Sequence, residues 1–287
     1  MPPVIIVEDL RHSFSDGWDA LNGVDVTIAA GEYVALIGAN GSGKTTLAKH
    51  LNGLLRPTSG RVIVAGLDTR TTPVGTLARH VGYVFQNPDH QIFCASVWEE
   101  LAFAPRVQGV PEAEVRERVQ AELRAFGLAE VAQRPPAILS PGLRRRVAIA
   151  SVLAARPQVL ILDEPNVGLD AQEQQEMLSR VADYNAAGNT ILLISHDMRL
   201  VAHWARRCLL LSAGMILADG TPAEVLSNRA ALQQAGMRPP ALCLLAEALA
   251  EYGMPRGHLD VTSFGQAYLG LLAISPPQTK TFTGECP

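Results

Sequence analysis

The chain has 287 residues, 48% of them hydrophobic, enough to bury a substantial core in one large domain with an appendage or in two modest domains. Its formal charge of -4 provides no broad basic footprint, so nucleic acid is not an expected partner. No apolar run approaches the roughly 18 residues needed to span a bilayer, and the start MPPVIIVEDLRH lacks the basic flank and long apolar stretch of a secretory signal, so any membrane part is expected from another chain.

In the first third, short apolar stretches at 4–7, 24–28, 33–37, 62–65 and 81–85, punctuated by glycines, predict strands. From 96 to about 156 the pattern turns helical, with Val115, Val119, Leu123 and Phe126 recurring at spacings of three and four. Two continuous apolar runs follow, VLILD at 159–163 and TILLIS at 190–195, separated by an amphipathic helix near 171–184. Such runs suit strands covered by helices on both faces, so a parallel, three-layer α/β core is expected. After Gly220, Thr221 reads as a helix cap with Pro222 in the first turn, and Ala/Leu-rich helices follow over 223–253, interrupted by Pro239 and Pro240. Pro276 and Pro277 open a polar tail. The expected division is 1–220, with a helical subdomain over about 87–157, and a C-terminal helical extension with its tail over 221–287.

The four cysteines, Cys94, Cys208, Cys243 and Cys286, make no ligand or redox spacing and read as small hydrophobes in a reducing, cytoplasmic setting.

The segment Gly38-Ala39-Asn40-Gly41-Ser42-Gly43-Lys44-Thr45-Thr46 fits G-x-x-x-x-G-K-[ST], follows a predicted strand and opens a predicted helix over 44–54. Glycines there let successive N–H groups face phosphate oxygens, Lys44 reaches the terminal phosphates, and the Thr45 hydroxyl serves Mg²⁺. Independently, Asp163 and Glu164 end a buried strand, where α/β sheets place their ligands. Asp163 is expected to hold Mg²⁺, and Glu164 to orient or deprotonate the attacking water.

The ordered set Phe14, GANGSGKTT (38–46), Gln86, LSPGL (139–143), VLILDEP (159–165), Gly168-Leu169-Asp170 and Ser195-His196-Asp197 resembles the ATP-binding-cassette family up to about Gly220. More narrowly, VFQNPDHQIF (84–93), SVWEELAFAP (96–105), RRRVAIA (144–150) and RPPALCLLAEAL (238–249) are similar to the ATPases of energy-coupling-factor (ECF) importers, which serve metal ions such as cobalt and nickel or vitamins. The resemblance implies a P-loop nucleotidase core with an antiparallel β subdomain, a helical subdomain and a small C-terminal helical extension. It implies ATP and Mg²⁺ as cofactors. It also implies that Phe14 stacks on adenine, with Trp18 as the rival stacker, that Gln86 touches the metal and attacking water, and that His196 contacts the γ-phosphate. By the same resemblance Ser140 and Gly142 act on nucleotide held by a second ATPase subunit, itself or a paralogue, and Asp170 couples the two sites. The remaining implied partners are a transmembrane coupling protein and a substrate-binding membrane subunit at the cytoplasmic face of the cell membrane. The segment 87–93 together with Gln86 is then the surface expected to grip the membrane partner; the alternative is an ordinary loop with Ile92 and Phe93 turned into the core.

Two positions depart from the family signature, Pro141 and Leu143, and Asn166 stands where a small hydroxyl residue is common. Proline in a first helical turn is sterically acceptable, so the change is silent if Ser140 and Gly142 suffice and slows turnover if the missing N–H normally binds phosphate. Arg144, Arg145 and Arg146 read as the solvated basic side of a helix. Two rivals remain at this stage: a nucleic-acid-linked ATPase of the same superfamily, disfavoured by the acidic single cassette, and a small-molecule kinase, disfavoured by the signature and switch-histidine elements.

Overall fold

The computed structural model describes residues 2–274, so the polar tail after Pro276 and Cys286 lie outside the described residues. The strands are β1 Pro3–Ser13, β2 Asp19–Ala29, β3 Tyr33–Ile37, β4 Ser59–Val64, β5 Leu67–Asp68, β6 Val81–Val84, β7 Val159–Asp163, β8 Thr190–Ile194, β9 Arg207–Ser212 and β10 Met215–Gly220. The helices are α1 Lys44–Leu51, α2 Val74–Leu77, α3 Val97–Val107, α4 Glu112–Ala125, α5 Pro141–Ala154, α6 Ala171–Ala186, α7 Met198–Trp204, α8 Pro222–Ser227, α9 Arg229–Gln234, α10 Ala241–Ala248 and α11 Val261–Ile274.

Among the described residues these strands form a six-stranded sheet in the order β10-β9-β3-β8-β7-β6 and a four-stranded sheet in the order β2-β1-β4-β5. In the larger sheet all neighbours pair in parallel except β10, which returns antiparallel to β9. The smaller sheet is antiparallel throughout. The continuous apolar strands are explained by alternation between two cores. On β7, Leu160 and Leu162 enter a core made with α3, α4, α5 and α6, while Val159 and Ile161 enter a second core made with β1, β2, β4 and α1. β3 and β8 divide their side chains the same way, with Ala35 and Leu193 on one side and Leu36 and Ile194 on the other. A strand with both faces covered has no position for a polar residue until it reaches its end.

Between 196 and 220 the sequence carries no clear apolar period. The structure has α7 there, followed by the β9–β10 hairpin, with Cys208 to Leu211 fully buried against β3. The first helices after Gly220 join the main core through Val225, Leu226, Ala231 and Leu232. Thr221 caps α8 in a reciprocal capping box with Glu224, with Pro222 in its first turn.

Candidate active site

β3 delivers the chain into the glycine-rich loop, and α1 begins at Lys44 with Gly43 as its left-handed N-cap at φ 105°. At Gly43 a Cβ would lie 2.6 Å from the Ala20 carbonyl oxygen, and at Gly38 it would lie 2.2 Å from that of Leu211. Neither position admits a side chain, so the loop's course depends on glycine. Lys44 Nζ donates to the carbonyls of Gly38 and Ala39, 2.8 Å each, which folds the ammonium back over the loop. Burial lowers its pKa, against the raising influence of the Glu164 and Asp163 carboxylates.

At the C-terminal end of β7, Asp163 and Glu164 are both buried. The Asp163 Oδ2 atom accepts hydrogen bonds from the Thr45 hydroxyl at 3.1 Å and from the Tyr83 hydroxyl at 2.8 Å. Glu164 turns out of the strand with φ +48°, a left-handed conformation that costs a non-glycine residue about 1–3 kcal/mol, and its N–H donates to the Ile194 carbonyl. His196, just past β8, donates from Nδ1 to Glu164 Oε1 at 2.8 Å. The other carboxylate oxygen of Glu164, Oε2, is buried with no hydrogen-bond partner among the described residues. A buried acceptor left in that state is suited to a polar ligand or water.

A cavity of about 500 Å³ gathers Asn40, Gly41, Gly43, Lys44, Thr45, Thr46, Gln86, Asp163, Glu164 and His196 on one wall system. Ser42 is buried beneath the loop. The aromatic side chain lining this cavity is Trp18, not Phe14. Phe14 stacks on Trp18, ring centroids 5.7 Å apart and planes 6° from parallel. Gly236 and Met237, in the turn after α9, also line the cavity; nothing in their local sequence signals this.

Ser140, Gly142 and Asp170 lie outside the cavity. Ser140 caps α5, its hydroxyl accepting from the Leu143 N–H, with Pro141 at the first helical position. Asp170 caps α6 in a capping box with Glu173, and the Glu173 carboxylate stands 3.2 Å from where a Cβ at Gly142 would project. The start of α5 and the start of α6 are thus neighbours, through Gly142 and Glu173.

The basic run is not a solvated face. Arg145 is only 2% exposed, with its guanidinium donating to the carbonyls of Phe85 and Gln86. Burial lowers its pKa. Arg144 pairs with Asp89 at 2.7 Å and Arg146 with Glu173 at 3.0 Å. Helix periodicity placed Arg145 correctly on α5, but that face packs on the loop carrying Gln86 rather than on solvent. Nearby, Phe93 is 66% exposed and meets Phe103 edge-on at 4.8 Å, while Ile92 packs against the core. Phe93, Phe103, Leu54 and Val74 line an apolar groove of about 280 Å³ between the core and the helical segment.

The family model for ABC transporters matches residues 21–167. The chain is 44% identical to the energy-coupling factor transporter ATP-binding protein EcfA2 of Symbiobacterium thermophilum, over 87% of this chain and 89% of that protein. It is 43% identical to the cobalt import ATP-binding protein CbiO of Rhodobacter capsulatus, over 86% and 89% respectively. It is 45% identical to a putative ABC transporter ATP-binding protein of Caldanaerobacter subterraneus subsp. tengcongensis, of which it spans 43%, and it spans 44% of a similar relative from Methanosarcina acetivorans. Among solved structures, cbiO1 of Clostridium perfringens, described as part of the ABC transporter complex cbiONQ, superposes with a TM-score of 0.73 at 34% identity, over 86% of this chain and all of that one.

Proposed function

This chain belongs to the ABC transporter family, and on that premise we propose that it is the MgATP-hydrolysing motor subunit of an ECF-type importer, driving uptake of a metal ion or vitamin through a separate membrane complex. The observation that carries the reading is the convergence of Lys44, Thr45, Gln86, Asp163, Glu164 and His196 on one cavity. The donor set fits Mg²⁺, since the Thr45 hydroxyl and the Asp163 carboxylate, held together by the hydrogen bond to Oδ2, are hard oxygen groups of the kind that ion selects. When bound with ATP it neutralises charge on the β- and γ-phosphates. Lys44 exchanges its carbonyl partners for phosphate oxygens, and Trp18 covers the base. Glu164 accepts a proton from the water whose oxygen attacks the γ-phosphorus, as the bond to the bridging oxygen breaks and ADP leaves. His196 orients the Glu164 carboxylate by donating to Oε1.

Ser140, Gly142 and Asp170 do not line their own cavity, which supports a working dimer with a second copy or a paralogue, in which they act on the partner's nucleotide. No helix among the described residues is long and apolar enough to cross a membrane, and the similarity to ECF and CbiO ATPases supports a separate transmembrane coupling protein and substrate-binding subunit. The groove lined by the exposed Phe93 and Phe103, which Phe85 also lines, offers the coupling protein an apolar seat, and the similarity to ECF and CbiO ATPases supports a peripheral position at the cytoplasmic face. The test is affinity isolation from detergent extracts. The wild-type chain should bring down an integral membrane protein, and Phe93→Asp should lose it while still binding ATP. Recovery of nucleic acid instead, with no membrane protein, would contradict the reading.

A further inference from the structure

Tyr83 stands on β6 opposite Ile161 of β7, two residues short of Asp163 along the neighbouring strand, a diagonal that an aromatic side chain can bridge. Its ring is buried and tilts against Phe85, centroids 4.7 Å apart, and its hydroxyl donates to Asp163 Oδ2 at 2.8 Å. The same oxygen accepts from Thr45, and Oδ1 accepts no hydrogen bond among the described residues. The two donors, arriving from different elements, fix the carboxylate's rotation about its own axis and leave Oδ1 as the available oxygen.

We infer that Tyr83 is a positioning residue for the metal-binding carboxylate: it clamps Asp163 Oδ2 so that Oδ1 faces the divalent cation. This rests on the reading of the cavity as a MgATP site. A tyrosine serving only the core would contribute equally with and without the metal, whereas a clamp on Asp163 matters only once the cation is bound.

The experiment compares wild type, Tyr83→Phe, Asp163→Asn and the double variant as full chains, measuring ATP affinity in EDTA and the Mg²⁺ concentration that half-saturates tightened ATP binding. Phenylalanine keeps the ring packing, and ATP binding in EDTA reports the intact fold in each preparation. The clamp predicts unchanged metal-free affinity for Tyr83→Phe, a half-saturating Mg²⁺ raised about three- to tenfold, on the scale of one weakened contact to a charged group, and no further rise from Tyr83→Phe in the Asp163→Asn background. An unchanged Mg²⁺ requirement, an equal loss with and without the metal, or loss of ATP binding in EDTA would overturn it in favour of a packing role. Wild type lacking any Mg²⁺-dependent tightening would instead overturn the MgATP reading itself.

Discussion

His196 Nδ1 donates to Glu164 Oε1 at 2.8 Å, joining the residues that follow two adjacent parallel strands, β8 and β7. The bond leaves Glu164 Oε2 as the free, buried acceptor. A carboxylate so oriented presents one defined oxygen to a water, and its direction depends on the imidazole.

His196→Ala should therefore leave MgATP affinity within a few-fold of wild type and lower turnover about tenfold to a hundredfold, the effect of about 1.5–3 kcal/mol for a hydrogen bond to a charged group. Steady-state ATPase and nucleotide binding on one preparation separate the two quantities. Loss of binding without loss of turnover per bound nucleotide would assign His196 to binding alone.

Trp18, 49% exposed, lines the cavity and stacks on Phe14, and the proposed function assigns it the adenine contact. Stacking of a base on an aromatic ring contributes about 1–3 kcal/mol, so Trp18→Ala should weaken ATP binding roughly fivefold to a hundredfold and Phe14→Ala clearly less. A larger loss from Phe14→Ala, measured by nucleotide titration, would return the adenine contact to Phe14.

Arg145 links α5 to the Gln86 loop, and Arg145→Met would leave the Phe85 and Gln86 carbonyls without that donor inside the protein. Losing these two part-buried, charge-assisted hydrogen bonds costs about 1.5–3 kcal/mol in all, so a fall in Tm of a few degrees is expected. Lysine at 145, with a single charged tip, should restore only part of it. A Tm equal to wild type for Arg145→Met would mean that the guanidinium is dispensable.

His50, on α1, is fully buried. Its Nδ1 donates to the Thr46 carbonyl at 2.8 Å, and Nε2 lies 3.2 Å from His12 Nδ1. Burial is the main cause lowering its pKa below 6.5, with the Thr46 carbonyl opposing and His12 adding to the shift. Below pH 6.5 the unfolded chain therefore binds a proton that folded His50 refuses, so this residue lowers stability as pH falls through that value and contributes nothing to the pH dependence well above it. Thermal melts at about pH 7.5 and 5.5 should show a steeper loss for wild type than for His50→Gln. Parallel losses would remove His50 from the account.

Much of this was legible in the sequence because the signals are local. The glycine-rich loop, the VLILD and TILLI strands and the Thr221 cap each carry their cause within a few residues. The parts that escaped depend on contacts between distant segments. Arg145 reads as solvated until the loop of Gln86 packs on it, Tyr83 carries no signal of its own within the 81–85 stretch until β6 lies beside β7, and Met237 reaches the cavity only because α9 docks on the main core. The β9–β10 hairpin is short, and its buried face is created by β3.

The altered signature now has a physical setting. Pro141 occupies the first turn of α5, where its missing N–H breaks no helical bond, and Ser140 still caps the helix. Restoring Gly at 141 and Gln at 143 should therefore change the ATPase rate of the purified dimer by less than about twofold. A rise of roughly tenfold, the scale of one recovered phosphate contact, would show that the departures weaken the opposite site and favour pairing with a paralogue.

The central claim is that this cavity hydrolyses MgATP with Glu164 as the base, and Glu164→Gln tests it most directly. The carboxamide keeps the shape and retains an oxygen for His196, but cannot take the water's proton. With ATP binding and phosphate release measured on the same preparations, wild type should turn over MgATP, and Glu164→Gln should bind it with similar affinity while losing most hydrolysis. Wild-type turnover in Glu164→Gln, or no hydrolysis by a wild-type chain that binds MgATP and dimerises, would contradict the account.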